Sequence, residues 1–244
     1  MLSIGDRMKS YYEDASRIYL TRRTPVIIRV DGKVFHSLTK RYGIEKPFDE
    51  RFIACMSMTA LHMCSNIQGV KLAYVQSDEI SLLLTDYDGL ETDAWFGYNL
   101  QKIVSVSASI ATAIFNGELY NRILTHELAP QVYAHFDARA FNIPKEEVNN
   151  YFHWRQIDAI RNSILSLAQS HFSHAAIHKK STKELREMLK EKGADWEGLV
   201  LWLQRGQCVI KKPYKVGSET RTGWDSDRNI PLFVENREYI EQYI

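Results

Sequence analysis

Apolar and polar positions along the first 142 residues separate strands from helices by their spacing. Val26, Ile27, Ile28 and Val30 form a short β-branched run ending on Asp31-Gly32, which reads as a buried strand closed by a glycine turn. Ile4–Arg17 before it has the spacing of an amphipathic helix, and Thr21–Arg23 is a polar link. A basic loop, His36–Lys46, follows. Asp49 is placed to cap a helix running to about Ile67, with Phe52, Cys55 or Met56, and Met63 on one face and Gly69 ending it. Val70–Gln76 and Ile80–Leu84 read as strands joined through Ser77-Asp78-Glu79 in a tight hairpin. After the acidic loop Asp86–Asp93, an Ala- and Ser-rich helix is predicted over Trp95–Phe115, a shorter helical piece over Glu118–Leu128 and a strand over Val132–Phe141.

The predicted order is βαββαβ, which defines an α+β protein with a ferredoxin-like core over residues 1–142. In that arrangement the first and third strands are antiparallel neighbours. Asp31, at the end of the first, and Asp78, at the start of the third, therefore meet at one sheet edge. Residues 143–244 read as a mostly helical region packed on this core. Pro144 opens a helix over Lys145–Phe172, and Ser181–Glu191 is a charged helix stopped by Gly193. Cys208–Lys211 looks like a short strand, and Gly223–Ile244 has no clear period.

Composition narrows the class. The 244 residues suffice for one large domain or a core with a subdomain, and 45% apolar with 25% charged residues is ordinary for a globular protein. The reading expects no membrane-spanning run and no signal-peptide core at the N-terminus. Cys55, Cys64 and Cys208 lack paired metal-site spacing and read as reduced thiols, so a cytoplasmic location is expected. A net charge of +1 gives no global polyanion signature, and any nucleic-acid contact must rest on local basic patches.

Two aspartates at one sheet edge suit divalent cations. Mg²⁺ is held by one or two carboxylates plus substrate phosphates, and paired ions clamp the attacking and leaving oxygens of a phosphoryl displacement. Gly32 lets the backbone approach, so its carbonyl can join the ligands. The amides of Lys33, Val34, Phe35 and His36 can cradle a triphosphate, and Ser77 can bond phosphate or ribose. Glu79 alternates to the other face of the hairpin and is given a supporting role. Either aspartate alone also reads as a turn residue. Lys46 and Asp49 are candidate nucleotide contacts with the alternative of a loop charge and a helix cap, Lys102 reads as a phosphate contact or a surface lysine, and His36 as a phosphate contact or a packed histidine. Arg155, Arg161 and Asn162 fit either a nucleic-acid face or a solvated helix face.

The stretches RVDGKVFHSLTK, KPFD, YVQSDEISLLL, FDARAF and YFHWRQIDAIRNS, in this order, resemble the tRNA-His guanylyltransferase family. They resemble most the guanylyltransferase-like members that polymerise in the 3′–5′ direction. The resemblance covers about residues 5–215. It implies a palm-type catalytic core, two Mg²⁺ ions, ATP, GTP and other nucleoside triphosphates as substrates, and tRNA as the acceptor. It also implies a homotetramer. By position, Asp31 and Asp78 match metal-binding aspartates and Gly32 the carbonyl ligand. Asp31–His36 and Ser77-Asp78 match triphosphate-holding segments. Lys46, Asp49, Glu79 and Lys102 match positions tied to activation and transfer, so Asp31, Asp78 and Glu79 are the expected catalytic set. tRNA contact is expected of Arg139, Arg155, Arg161, Asn162, Lys211 and Lys212.

Eukaryotic members that add a guanosine to tRNA-His carry His-Ile-Asn-Asn after the Trp-Arg-Gln. Here the stretch is Ile160-Arg161-Asn162-Ser163, which resembles the bacterial type and implies templated repair of 5′-truncated tRNA. The alternatives are tRNA-His maturation, a palm-fold nucleotidyl cyclase, and a non-catalytic RNA-binding module.

Overall fold

The structure, a computed structural model, describes residues 2–123 and 132–244. One antiparallel sheet of six strands organises it. These are β1 (Val26–Gly32), β2 (Val70–Gln76), β3 (Glu79–Leu84), β4 (Phe136–Asn142), β5 (Gln207–Val216) and β6 (Glu219–Asp227), in the spatial order β4-β1-β3-β2-β5-β6. The first four reproduce the order expected from the βαββαβ pattern, and the mixed α+β class holds. The helices before β4 are α1 (Ile4–Met8), which is exposed, and α2 (Phe35–Arg41), α3 (Glu50–Asn66) and α4 (Leu100–Arg122), which pack on the core. The rest are α5 (Lys145–His171), α6 (His174–Ile177), α7 (Thr182–Glu191), α8 (Leu201–Arg205) and α9 (Glu238–Glu241).

Both faces of the sheet are covered, which is why its central strands read as continuous apolar runs rather than as an alternation. Val26, Ile28 and Val30 with Ile80, Leu82 and Leu84 lie in a core shared with α3 and α4. Ile27, Leu72, Tyr74 and Leu83 lie in a second core shared with the first half of α5. Each of these aliphatic side chains contributes about 1.5–3 kcal/mol by leaving water. A third cluster joins the second half of α5 to α6 and α7.

Several expectations need correcting. The short strand expected at Cys208–Lys211 is the start of a longer one: β5 and β6 form a hairpin whose first residues pair with β2, Val75 with Gln207 and Ala73 with Val209. The sheet thus continues across the boundary expected at residue 142. Only the buried Cys208–Ile210 start of β5 carries an apolar run; the outer Lys- and Thr-rich part of the ribbon carries no hydrophobic period, so the sequence pattern did not reveal it. The long helix starts at Leu100, behind a short 3₁₀ turn over Trp95–Tyr98 in which Phe96 (φ 54°) and Gly97 (φ 56°) are left-handed. It runs unbroken to Arg122, so the shorter helical piece is partly its last turns; residues 124–128 lie outside the described residues. At 23 residues and mean hydropathy 1.2 in its most apolar window, α4 is long and apolar enough to cross a membrane. Its Ile103, Ala111, Phe115 and Leu119 are buried on the sheet. The helix expected from Asp49 is α3, capped by the Asp49 side chain as anticipated.

Candidate active site

The antiparallel register of β1 and β3 brings the two predicted segments together. Val30 faces Ile80 and Asp31 faces Glu79 across the ladder, and beyond it the Gly32 N–H donates to the Asp78 carbonyl at 3.0 Å. Asp31-Gly32 and Ser77-Asp78 are therefore hydrogen-bonded neighbours at one sheet end, as the topology argument required. Ser77 takes a left-handed backbone (φ 48°) in the hairpin turn, and its hydroxyl donates to Asp78 Oδ1 at 2.9 Å. Burial pushes the Asp78 carboxyl above its ordinary value, Ser77 pulls it back, and the Asp31 charge adds to the rise. Among the described residues neither aspartate has a basic partner in an ion pair. Two partly buried carboxylates at one sheet end, without a basic side chain paired to either, fit a divalent metal.

Gly32 is required by packing. A Cβ there would lie 2.4 Å from Phe35 Cδ2, because the Phe35 ring turns back under the loop into a cluster with Phe52, Phe115 and Phe136. This anchors Val34, a β-branched residue at φ 56°, as the start of α2 with no side-chain cap. The amides of Phe35 and His36 in the uncapped first turn suit an anionic ligand. The Lys33 amide does not join that cradle, because it donates to the His135 carbonyl at 2.8 Å. The side chains of Lys33 and His36 are exposed. Among the described residues no three His, Cys, Asp or Glu side chains form a metal cage. The donor set is two carboxylates and a carbonyl, with room for phosphate oxygens to complete the shell.

Beside this end lies a cavity of about 220 Å³, bordered by Ser77, Lys46, Phe48, Asp49, Phe52 and Asn162. Gly206, left-handed at φ 78°, and Gln207 close its far side. Three expected residues, Lys46, Asp49 and Asn162, thus converge on one space with Ser77. Asp49 caps α3, accepts from the Arg51 and Phe52 amides, and is gripped by the Arg51 guanidinium at 2.7 and 3.1 Å. Arg51 holds its carboxyl down at about 2. The helix-cap reading of Asp49 is therefore correct, and its place on the cavity wall comes with it.

Glu79 and Arg155 depart from expectation together. Both Glu79 oxygens accept from Arg155, at 2.7 and 2.8 Å, and Arg155 also reaches Asp158 at 2.9 Å. The two side chains are 7% exposed. Burial pushes the Glu79 carboxyl up while Arg155 pulls it back. Glu79 is a strut that ties β3 to α5 and not a free catalytic carboxylate, and Arg155 presents no face to RNA. Register adds a residue that the sequence reading missed: Asp137 on β4 faces Asp31 across the ladder, so Asp137, Asp31 and Glu79 form one row. Behind it Arg139 faces Arg29. The alternation in FDARAF was the signal for both, but only strand pairing shows what they face.

Lys102 is not brought to the site. It lies in the first turn of α4, beside the Tyr19–Asn99 bridge, and its Nζ sits 5.7 Å from the Phe96 ring centroid. Thr112 Oγ1, which accepts from the Phe136 amide near Gly32, is about 15 Å further along the helix. Arg139 is exposed and lies 3.4 Å from Asp137, and Arg161 is exposed and paired with Asp158. Lys211 is exposed over Trp224, while the Lys212 ammonium donates to the Ser226 carbonyl at 2.8 Å.

Sheet order and site place the chain in a class: α+β proteins with a carboxylate pair and a close-approach glycine at the end of a βαββαβ sheet, next to a cavity. A family model described as Thg1, tRNAHis guanylyltransferase, matches residues 5–144. The chain belongs to that family. It is similar to the tRNA(His) guanylyltransferase of Schizosaccharomyces pombe, 32% identical over 154 residues, which are 63% of this chain and 55% of the relative. It also matches the probable tRNA(His) guanylyltransferase of Drosophila melanogaster, 26% identical over 88% of this chain and 75% of the relative. The chain thus spans little more than half the length of several curated relatives. Among solved structures, a bacterial tRNA(His) guanylyltransferase (Thg1)-like protein in complex with ATP superposes with a TM-score of 0.88 at 44% identity, over 100% of this chain and 99% of the other. A bacterial Thg1-like protein in complex with GTP gives 0.85 at 44% identity over 99% of both.

Proposed function

We propose that this protein is a Mg²⁺-dependent nucleotidyltransferase that adds nucleotides in the 3′–5′ direction to the 5′ end of tRNA, filling truncated ends against the opposite strand. The observation behind this reading is the hydrogen-bonded junction of Asp31-Gly32 with Ser77-Asp78 beside a nucleotide-sized cavity. The likeness at 44% identity to bacterial proteins bound to ATP and to GTP supports it.

A 5′-monophosphate end is first activated with ATP or GTP: a phosphate oxygen of the RNA attacks the α-phosphorus and pyrophosphate leaves. The 3′-hydroxyl of the incoming nucleotide then attacks the activated 5′ phosphorus, and the activating nucleoside monophosphate leaves. A 5′-triphosphate end skips the first step and releases pyrophosphate in the second. Asp31, Asp78 and the Gly32 carbonyl would hold two Mg²⁺ ions. Bound there, the ions supply charge neutralisation for the developing oxyanions and a lowered pKa for the attacking hydroxyl. The Phe35 and His36 amides orient the triphosphate, Ser77 bonds phosphate or ribose, and the cavity takes one base with Lys46 and Asn162 on its wall. The core is palm-like in this reading. Lys211 and Arg139 are available for RNA phosphates. A second copy is expected on the N-terminal arm, whose Leu2, Ile4, Met8, Tyr11 and Tyr12 are all exposed. Light scattering should then give a multiple of 28.3 kDa for the full chain and a lower mass once residues 2–12 are removed. An unchanged mass would refute that contact.

The decisive experiment offers two labelled transcripts with Mg²⁺ and all four nucleoside triphosphates. One is a tRNA lacking its first 5′ nucleotide, the other a tRNA-His lacking only its extra guanosine, each with a mono- or triphosphate end. Faster templated filling of truncated ends across tRNA species is expected. Selective guanosine addition to tRNA-His would replace repair with maturation, the activity printed in the names of the curated relatives. No extension of either would overturn the nucleotidyltransferase reading and leave the cyclase and RNA-binding alternatives.

A further inference from the structure

Trp154 is the aromatic of α5 that the fold leaves in solvent. It is 52% exposed, whereas its neighbours Tyr151 and Phe152 are 7% and 0% exposed. The indole is nonetheless held firmly. Tyr151 meets it edge-on at 5.9 Å, and the Arg155 guanidinium lies 4.5 Å from the ring centroid. Arg155 is itself fixed by Glu79 and Asp158. Arg29 lies 5.9 Å from the same ring. Arg29 precedes Asp31 by two residues and shares its face of β1, so the indole is packed against a side chain of the strand that carries Asp31. Packing does not account for a large ring kept half in water by two arginines next to a carboxylate site. Every nucleobase has a π-face, and a fixed exposed indole is the surface on which one stacks without regard to its identity.

We propose that Trp154 is a stacking platform for the nucleobase of a ligand whose phosphates lie at the Asp31–Asp78 end. Trp154 does not line the 220 Å³ cavity. The protein would therefore have two separate seats for bases near the carboxylate pair, as a reaction joining two nucleotides requires. This rests on the nucleotidyltransferase reading. The base comes from one of two sources, a free nucleoside triphosphate or the 5′-terminal nucleotide of the RNA.

The test is tryptophan fluorescence of the full-length wild type, Trp154→Phe and Trp154→Leu. Each is titrated separately with GTP and Mg²⁺, with 5′-truncated tRNA, and with inorganic triphosphate, which has no base. The expected result is quenching of the wild type by GTP or by tRNA, a smaller quenching in Trp154→Phe limited to Trp202 on the cavity wall, and no Trp154-dependent signal with inorganic triphosphate. The probe that loses its signal identifies the source of the base. Affinity for that probe should stay within about threefold in Trp154→Phe, which keeps a stacking ring, and fall about tenfold or more in Trp154→Leu. The inference is overturned if Trp154→Phe quenches like wild type with both probes. It is also overturned if Trp154→Phe and Trp154→Leu lose affinity equally, since an aromatic ring would then not be what matters. Unaltered binding with normal 5′ extension would sink this inference alone. Failure of the wild type to bind either probe would sink it together with the nucleotidyltransferase reading.

Discussion

Asp31 and Asp78 sit at the ends of strands whose apolar residues form the core, and neither side chain is part of that core. Replacing either with alanine removes a metal donor and relieves mutual repulsion. Asp31→Ala and Asp78→Ala are expected to lower 5′ extension by three orders of magnitude or more while circular dichroism and Tm stay at or above wild type. Near-normal turnover in both variants would refute the metal-site assignment. Glu79 is the opposite case. Its loss leaves the buried Arg155 with Asp158 as its remaining carboxylate, so the cost approaches but stays below the about 3–5 kcal/mol of a fully unpaired buried charge. Glu79→Ala should therefore show a large drop in Tm along with lost activity, and replacing Glu79 and Arg155 together should recover part of the stability. If Glu79→Ala kept its Tm and lost only turnover, Glu79 would be catalytic rather than a strut.

At the level of elements, α3 depends on its cap. Asp49 accepts from the Arg51 and Phe52 amides and from Arg51 itself. Asp49→Ala is expected to cost about 1–2 kcal/mol. The pH dependence has a definite sign. The Asp49 carboxyl is held down at about 2 in the folded protein, against an ordinary value of 3.8. Its stabilisation is fully present above the ordinary value and is lost as pH falls from about 4 through 2. Urea midpoints of wild type and Asp49→Ala should thus converge across that window and differ by a constant amount at neutral pH. A constant difference down to pH 2 would show that the cap acts without its charge. Strands β1 and β3, the glycine turn and the α3 cap were all legible in the sequence, because each rests on local chemistry: β-branched runs, a Gly that tolerates close approach, and an Asp before a helical period. Of the β5–β6 ribbon only the start, Cys208–Lys211, was legible, because its outer residues are exposed on both faces and leave no period to read.

At the scale of the whole molecule, individual exposed lysines matter more than net charge. The chain is nearly neutral, and beyond Ile210 the β5–β6 hairpin leaves the sheet as a two-stranded ribbon on which Arg221 pairs with Glu219 and Lys212 with Asp225, while Lys211 and Lys215 are exposed. Lys211 and Lys215 alternate onto the same face of it as Thr220 and Trp224. If that face meets RNA phosphates, Lys211→Glu with Lys215→Glu should weaken tRNA binding and reduce the slope of log affinity against log salt by about 2, one for each lost contact. GTP binding should not change. An unaltered salt slope would remove the ribbon from the RNA-binding surface.

The sequence alone determined the sheet order of the core and the meeting of Asp31 with Asp78. Hydrophobic period and chain topology act through the backbone, and antiparallel neighbours leave few alternatives for where strand ends lie. What only the tertiary structure decided concerns side chains whose environment comes from elsewhere in the chain. Glu79 became a strut because α5 brings Arg155 onto it. Lys102 was carried away from the carboxylates because α4 starts at the far end of the sheet. Asp137 joined the acidic row because β4 pairs with β1 in one register. Trp154 stayed in solvent because the second core closes over Tyr151 and Phe152 and stops short of it. Burial and partners are properties of the packed chain, and no local pattern encodes them.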